Sequence, residues 1–545
     1  MKRLINLFLL WLSLLSCTLT ATAAESAAHQ HERQFTNPMA WADLPDPDVI
    51  RVGDYFYMVT TTMHLMPGAS IMRSRDLVNW ETVSFVFDRL TDSPKYNMEG
   101  GTVYGRGQWA TSLKYHKGRF YVLFAPNDNP GGDTYIYSTA DPTGHWTLVS
   151  RLRHFHDASL FFDDDDRVYV IYGTGQMCEL KSDFSGVVED SDRQLFQREP
   201  DETGLLEGSR MVKHNGKYYL LMVSWPQGKP RRQVCYRAEK IEGAYEKKTI
   251  LETEFGGFSY VGQGTIVDAP DGRWYGVIFQ DRGGVGRVLT LMPCSWQDGW
   301  PILGDRSGHV PTIMDKPVMG SEELHIVQSD NFGSDHLKSV WQWNHNPIDS
   351  LWSLSERPGF LRLKTGRVVS SIFAAPNTIS QRMEGPGCTA IVALDISHLT
   401  DGDKAGLAAF NGDSGLLTLS RMGKSFTLEM SEASVSLSDR EKAITNVKET
   451  VVEQVKVKQR YVYLRIDADF RPGRDIASFY YSLDNRTWHK IGRDFKMRFD
   501  YRRFFMGTRV ALFCYATQKA GGYVDIDTFT YHKIQLPEIN NSNKL

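Results

Sequence analysis

Five stretches of this chain repeat one arrangement of polar and apolar positions. A Gly or Asp turn comes first, and a run rich in aromatic and β-branched residues follows. The first is Gly53-Asp54-Tyr55-Phe56-Tyr57-Met58-Val59, with counterparts at 118–124, 166–172, 216–222 and 272–278. Such a run after a turn predicts a strand leaving a hairpin. The recurring Tyr57, Tyr121, Tyr169, Tyr219 and Tyr275 stand 64, 48, 50 and 56 residues apart. A period of roughly 50, with almost no amphipathic helix over 35–305, predicts a β-propeller with one four-stranded blade per repeat. Five repeats predict five blades. Past Asp330 the repeat stops, and short alternating segments such as 361–364, 390–395, 461–466 and 477–482 take over. Many short strands of this kind predict a β-sandwich. Residues 306–328, with Gly308, Pro311, Pro317 and Gly320, lack a strong period and read as a linker. The expected fold is all-β: a five-bladed β-propeller at 35–305, then a β-sandwich at 329–537.

The same repeat points to a site. Twelve residues before each later tyrosine, and eleven before Tyr57, stand Asp46, Trp109, Asp157, Glu207 and Gln263. Each opens the strand that pairs into the turn. In a propeller the innermost strand of every blade lines a central channel, so these five positions are expected to ring one end of it. Three are carboxylic acids, and acids facing one cavity shift one another's pKa values. Two carboxylates flanking a bond are the machinery of glycoside hydrolysis, one protonated to donate and one ionised. A third can hold the donor protonated by like-charge repulsion. Trp109 offers an apolar face to a sugar ring. Taken singly, Asp46 also suits a turn, Asp157 a strand-end cap and Glu207 an exposed position.

Charge narrows the partner. The 545 residues carry 62 basic and 65 acidic side chains, a net charge of −3. A nucleic-acid binder would need a basic face, so a neutral ligand is the simpler expectation. The 12% aromatic content and 46 glycines suit both β-structure and sugar stacking. Residues 1–24 read as a signal peptide: Lys2 and Arg3, an apolar run over 4–15, and the small-residue site Ala21-Thr22-Ala23. Leu14-Leu15-Ser16-Cys17 also resembles a lipoprotein box. Export to a bacterial periplasm is expected, or attachment to the outer membrane if Cys17 is lipidated. No later stretch is apolar enough to be a transmembrane span. Cys178, Cys235, Cys294, Cys388 and Cys514 are scattered without a CxxC pair, which predicts buried thiols rather than a zinc or redox motif.

Several segments together resemble glycoside hydrolase family 43. They are Pro45-Asp46-Pro47-Asp48-Val49-Ile50, Ser74-Arg75-Asp76-Leu77-Val78-Asn79-Trp80, Trp109-Ala110-Thr111-Ser112, Asp157-Ala158-Ser159-Leu160-Phe161, Glu207-Gly208 and Gly286-Arg287. The resemblance implies Asp46 as general base, Glu207 as general acid and Asp157 as the acid that tunes and orients the donor. It implies Trp109 at the sugar-binding floor and Arg287 on the glycone hydroxyls. Asp48 is left structural. Many members carry His where Gln263 stands, and that His helps organise the channel or a central ion. Gln263 is a poorer metal ligand and is expected to bind substrate instead.

The later half, through Trp341-Gln342-Trp343 and 505–527, resembles the concanavalin-like domain of the family's xylosidase-type members. There the sandwich usually closes the active-site mouth with one loop, here expected around Arg502, Arg503, Phe504 and Phe505; independent carbohydrate binding is the other reading. Asp330 and Asp527 resemble a calcium pair of related sandwiches, since hard oxygen ligands suit that ion. Two turn aspartates are the plain alternative, and no cofactor is required for the chemistry. The loop at 60–68, with Met63 and His64 as candidate substrate contacts, resembles a subgroup rich in arabinofuranosidases. The implied function is an exo-acting, inverting hydrolase releasing terminal α-L-arabinofuranose from hemicellulose side chains. A β-D-xylosidase, or a bifunctional enzyme, is the alternative. A non-catalytic carbohydrate-binding propeller is the alternative of another class.

Overall fold

A computed structural model describes residues 33–536 except 128–131, 201, 203, 260–261 and 321–322. The expected signal segment and Cys17 lie outside the described residues.

The repeat becomes five four-stranded antiparallel blades, each made of consecutive strands. Blade one comprises Asp48–Val52, Tyr55–Thr60, Gly68–Ser74 and Glu81–Phe87. Blade two comprises Gln108–His116, Arg119–Pro126, Thr134–Thr139 and Thr147–Leu152. Blade three is the slightest, with Ser159–Phe162, Val168–Tyr172, Gln176–Leu180 and the two-residue Arg193–Gln194. Blade four comprises Leu205–His214, Lys217–Trp225, Arg232–Ala238 and Glu246–Leu251. Blade five comprises Gly264–Asp268, Trp274–Asp281, Arg287–Gln297 and Trp300–Leu303. The five first strands contact one another in a closed circle, each touching the first strand of the blade before and after.

The repeated turn residue has a backbone cause. Gly53, Gly118, Asp166, Gly216 and Gly272 all take positive φ, between 60° and 83°. Tight hairpins of matching twist demand that region, which glycine enters freely and Asp or Asn tolerates. A Cβ at any of the four glycines would meet nothing within 4 Å, so the demand is conformational and not steric. Apolar clusters then fill each seam between neighbouring blades: Tyr57 and Val59 with Leu113 and Phe120, Leu123 with Val170, Tyr169 with Leu220, Tyr219 with Ile278, and Val277 with Val49.

Closure relies on the N-terminal arm. Gln34–Thr36 pairs with Ile313–Asp315, so part of the segment read as a linker is a strand tied to the propeller. The Asn37 amide donates to the carbonyls of Leu291 and Pro311, and its oxygen accepts the Leu291 N–H. The arm is thereby fastened to the third strand of blade five.

The rest of the chain forms a sandwich of two antiparallel sheets. One runs Ile444–Val457, Ser425–Leu437, Asp413–Met422, Asp403–Phe410, Arg509–Ala516, Ile379–Arg382 and Gln342–Asn344 in spatial order. Its last member is Leu65–Met66, contributed by the propeller: Met66 pairs with Trp343 and Leu65 with Asn344. The other sheet centres on Gly387–Asp395 between Tyr523–Ile534 and Tyr461–Asp469. One apolar core runs through both domains, joining Val49, Val277 and Leu289 to Leu361, Val392 and Leu464. Cys178, Cys235, Cys294, Cys388 and Cys514 are buried free thiols.

Candidate active site

Asp46 and Asp157 immediately precede the first strands of blades one and three, and Glu207 lies inside the first strand of blade four. Both aspartates hold positive φ, 55° and 46°. A non-glycine residue kept there costs of order 1–3 kcal/mol and persists where its surroundings dictate the conformation. The strand carrying Glu207 is bulged between Glu207 and Arg210, and a bulge re-aims the side chain beside it. Gly208 in that bulge leaves room for a neighbour: a Cβ there would fall 2.6 Å from the Gln263 side chain. Gln263 is buried against it, its amide nitrogen without a hydrogen-bond partner among the described residues.

Two of the acids share a cluster with His156. Ligating atoms of His156, Asp157 and Glu207 all lie within 4.8 Å of one another. His156 Nε2 stands 3.6 Å from Glu207 Oε2 and 3.9 Å from Asp157 Oδ1. Burial first, and then the charges of Glu207 and Asp46, raise the Asp157 carboxyl above its ordinary range, while His156 and Arg210 oppose that rise. Contact with Glu207 and the charge of Asp157 hold the His156 imidazole above its ordinary value against burial. Asp46 Oδ2 accepts the Thr61 hydroxyl at 2.7 Å and lies 3.7 Å from the Arg287 guanidinium.

Beneath the acids sits Arg210, fully buried. Its Nη2 donates to the carbonyls of Asp46 at 3.1 Å and Thr111 at 3.0 Å, and Nη1 donates to the Ser209 carbonyl at 2.9 Å. One guanidinium thus ties blades one, two and four at the channel. Its Nε lies 3.7 Å from Asp48 Oδ1, also fully buried. The other Asp48 oxygen accepts from the Leu113 N–H, the Ser112 hydroxyl and Lys114. Asp48 therefore holds the channel together while Asp46 faces Arg287.

The mouth is walled by the sandwich. Phe505, at φ 54°, presents its ring edge-on to Trp109 at 5.6 Å and lies 4.5 Å from the Arg287 guanidinium. Arg287 Nη2 also donates to the Phe505 carbonyl at 3.0 Å. Two glycines permit this approach. A Cβ on Gly286 would meet Asp43 Oδ1 at 2.4 Å, and one on Gly507 would meet the Val285 carbonyl at 2.2 Å. Asp43 fastens the two sides, accepting the Arg287 N–H at 2.8 Å and the Gly507 N–H at 2.9 Å. Within the loop expected to form the wall, the parts differ. Arg503 is an anchor paired with Asp413 and Asp500, Phe504 is fully buried, Arg502 points at Tyr501, and Phe505 alone joins Trp109 and Arg287.

One group of expected residues needs correction. His64 is fully buried between the domains, packed on Tyr104, His345 and Phe504, so substrate cannot reach it. Met63 is buried as well, and its backbone pairs with Gln108. The loop from Thr60 turns into the sandwich because Leu65 and Met66 complete its sheet. Asp330 and Asp527 are each engaged in hydrogen bonds within the sandwich. Asp330 spends its two oxygens on the Phe332 N–H and the Trp341 indole N–H, and Asp527 accepts the Tyr461 hydroxyl. No group of three candidate ligands forms around them among the described residues.

Three polar residues of the site escaped the sequence reading. His156 is the neighbour of Asp157. Arg210 stands three residues after Glu207, and a charged residue inside a buried inner strand was its signal. Asp281 pairs in register with Arg287, and burial raises its carboxyl above the ordinary range while Arg287 and Arg231 oppose the rise. Only its place at the strand end hinted at it.

A five-bladed propeller with acids at one channel mouth, capped by a sandwich loop, defines a glycoside-hydrolase architecture. Residues 35–301 match Glycosyl hydrolases family 43, and residues 329–532 match Beta xylosidase C-terminal Concanavalin A-like domain. A protein of Formosa agariphila named Beta-xylosidase is 30% identical over 92% of this chain and 91% of its own length. The Non-reducing end alpha-L-arabinofuranosidase BoGH43B of Bacteroides ovatus is 27% identical over 69% of this chain and 73% of its own. A solved structure described as a bifunctional GH43-CE of Bacteroides eggerthii is 40% identical, with a TM-score of 0.84 over 92% of this chain. This chain spans 64% of that longer protein. The chain belongs to glycosyl hydrolases family 43 and is a glycosidase.

Proposed function

We propose an exo-acting, inverting hydrolase that releases a terminal pentose from hemicellulose side chains. The single observation that carries this reading is the wall made by Phe505. It meets both Trp109 and Arg287 beside Asp46, which favours a pocket for one terminal sugar over an open groove. Glu207 protonates the glycosidic oxygen and Asp46 activates water on the opposite face of the sugar. Asp157, held between Glu207 and His156, orients the donor. Trp109 and Arg287 bind the terminal sugar. The test is an NMR time course on a pentoside: the inverted anomer must appear first, and a retained anomer would sink the assignment.

Met63 and His64, in the loop whose resemblance favoured α-L-arabinofuranose, are buried. The choice of sugar therefore rests on other support. The α-L-arabinofuranoside remains one reading, through the relative of that name. The β-D-xyloside is the second, favoured by the more similar Formosa relative. Side-by-side assay of the two 4-nitrophenyl pentosides decides by rate. Export, with cleavage near Ala23 or lipidation at Cys17, is part of the proposal. The mass of the mature N-terminus tests it.

A further inference from the structure

Among the exposed large apolar side chains of the described residues there is one tryptophan, Trp225, 43% exposed. It ends the second strand of blade four, directly opposite Leu205, while Val223 stands opposite Glu207. Residues opposite one another, and those two apart on a strand, share a sheet face. Trp225 therefore emerges on the face that carries Glu207. It lies roughly 7 Å further along the strand direction and about 5 Å across to the neighbouring strand. That sets it about 9 Å from Glu207, at the start of the inner strand, the end where Asp46 and Asp157 also precede their strands.

The ring is held ready. Its indole N–H donates to the Lys229 carbonyl at 2.9 Å. Gly204 lies against it, since a Cβ there would fall 3.5 Å from the ring atoms. The Arg231 guanidinium rests 4.7 Å from the ring centre and has no carboxylate within ion-pair distance among the described residues. Arg231 also acts on the charge of Asp281, the strand partner of Arg287. A preset aromatic face beside an uncommitted guanidinium suits a ring that carries hydroxyls, because the ring stacks and the guanidinium donates.

We propose that Trp225 and Arg231 form the leaving-group subsite, a platform for the sugar unit from which the terminal residue is cut. This inference rests on the pentosidase reading: Glu207 donates its proton to the leaving oxygen, so the leaving sugar belongs on the Glu207 side of the pocket. Trp109, Arg287 and Phe505 hold the terminal sugar, and Trp225 meets the next one.

The test compares two substrates of the pentose that the protein turns over. One is an oligosaccharide bearing that pentose at its end. The other is the corresponding pentosyl fluoride, whose leaving group is too small to reach Trp225. Trp225→Ala should lower kcat/KM on the oligosaccharide about tenfold and leave the fluoride within about twofold. Trp225→Phe should recover most of the loss, and both variants should unfold at the wild-type temperature. An equal loss on both substrates, or none on the oligosaccharide, overturns the subsite. Wild-type protein inactive on both would instead sink the pentosidase reading and this inference with it.

Discussion

Replacing Arg210 by Met tests whether the propeller channel and Asp46, the proposed general base, are one mechanical unit. Arg210 and Asp48 are both fully buried, 3.7 Å apart, and Arg210 donates to three carbonyls, one of them that of Asp46. A hydrogen bond from a charged donor contributes about 1.5–3 kcal/mol net. Three at the lower figure suggest a loss of about 4 kcal/mol. Removing one partner of a buried ion pair costs about 3–5 kcal/mol because the other charge is left unpaired, and the two routes agree. Asp48 retains Lys114, Ser112 and the Leu113 N–H, so the loss should not exceed that range. Urea unfolding should move its midpoint down by about 1 M or more, taking a slope of about 3 kcal/mol/M for a large domain. Turnover should fall in the single variant even at low urea, because the Asp46 carbonyl loses its tether. A midpoint within about 0.3 M of wild type, with unchanged kcat, would refute the argument.

Phe505→Ala should raise KM about tenfold with a smaller change in kcat, because it removes an aromatic contact and a cation–π contact each worth about 1 kcal/mol; steady-state kinetics on the active pentoside check this, and an unchanged KM would show that the wall does not touch substrate. Asp157→Asn should lower kcat about 10²-fold or more, while thermal melts reveal a compensating gain in stability at alkaline pH. The native Asp157 carboxyl is raised by burial and by Glu207, so the native state loses stability as pH climbs from the ordinary Asp range through the raised value. The Asn variant should therefore gain most at pH 8 and least near pH 4, and a pH-independent difference would contradict it. His64 and His345 titrate the other way. Burial holds both below the ordinary value, so interdomain stability is full above about pH 6.5 and is lost as pH falls below it. His345→Gln keeps an acceptor for the Val103 N–H and should flatten the fall of the melting temperature over that acid range.

The blades and the ring of acids were legible in the sequence because both arise from local rules. A turn residue forced to positive φ at Gly53, Gly118, Asp166, Gly216 and Gly272 and a two-residue strand period repeat wherever a blade repeats. Counting along that period finds Asp46, Asp157 and Glu207 with no knowledge of how the blades meet. The change of pattern past Asp330 marked the sandwich for the same reason. What remained hidden depends on separations no local period reaches. Arg210 meets Asp46 across 164 residues, and Arg287 meets Phe505 across 218. The 60–68 loop misled because its polar and apolar residues suit a substrate loop. Its pairing with Trp343 and Asn344 decides instead that His64 is buried. Hydrophobic periodicity and turn chemistry thus determined which residues start the inner strands. Only closure of the five blades and docking of the sandwich determined which of them share one cavity, because burial, charge proximity and steric access are properties of neighbours in space.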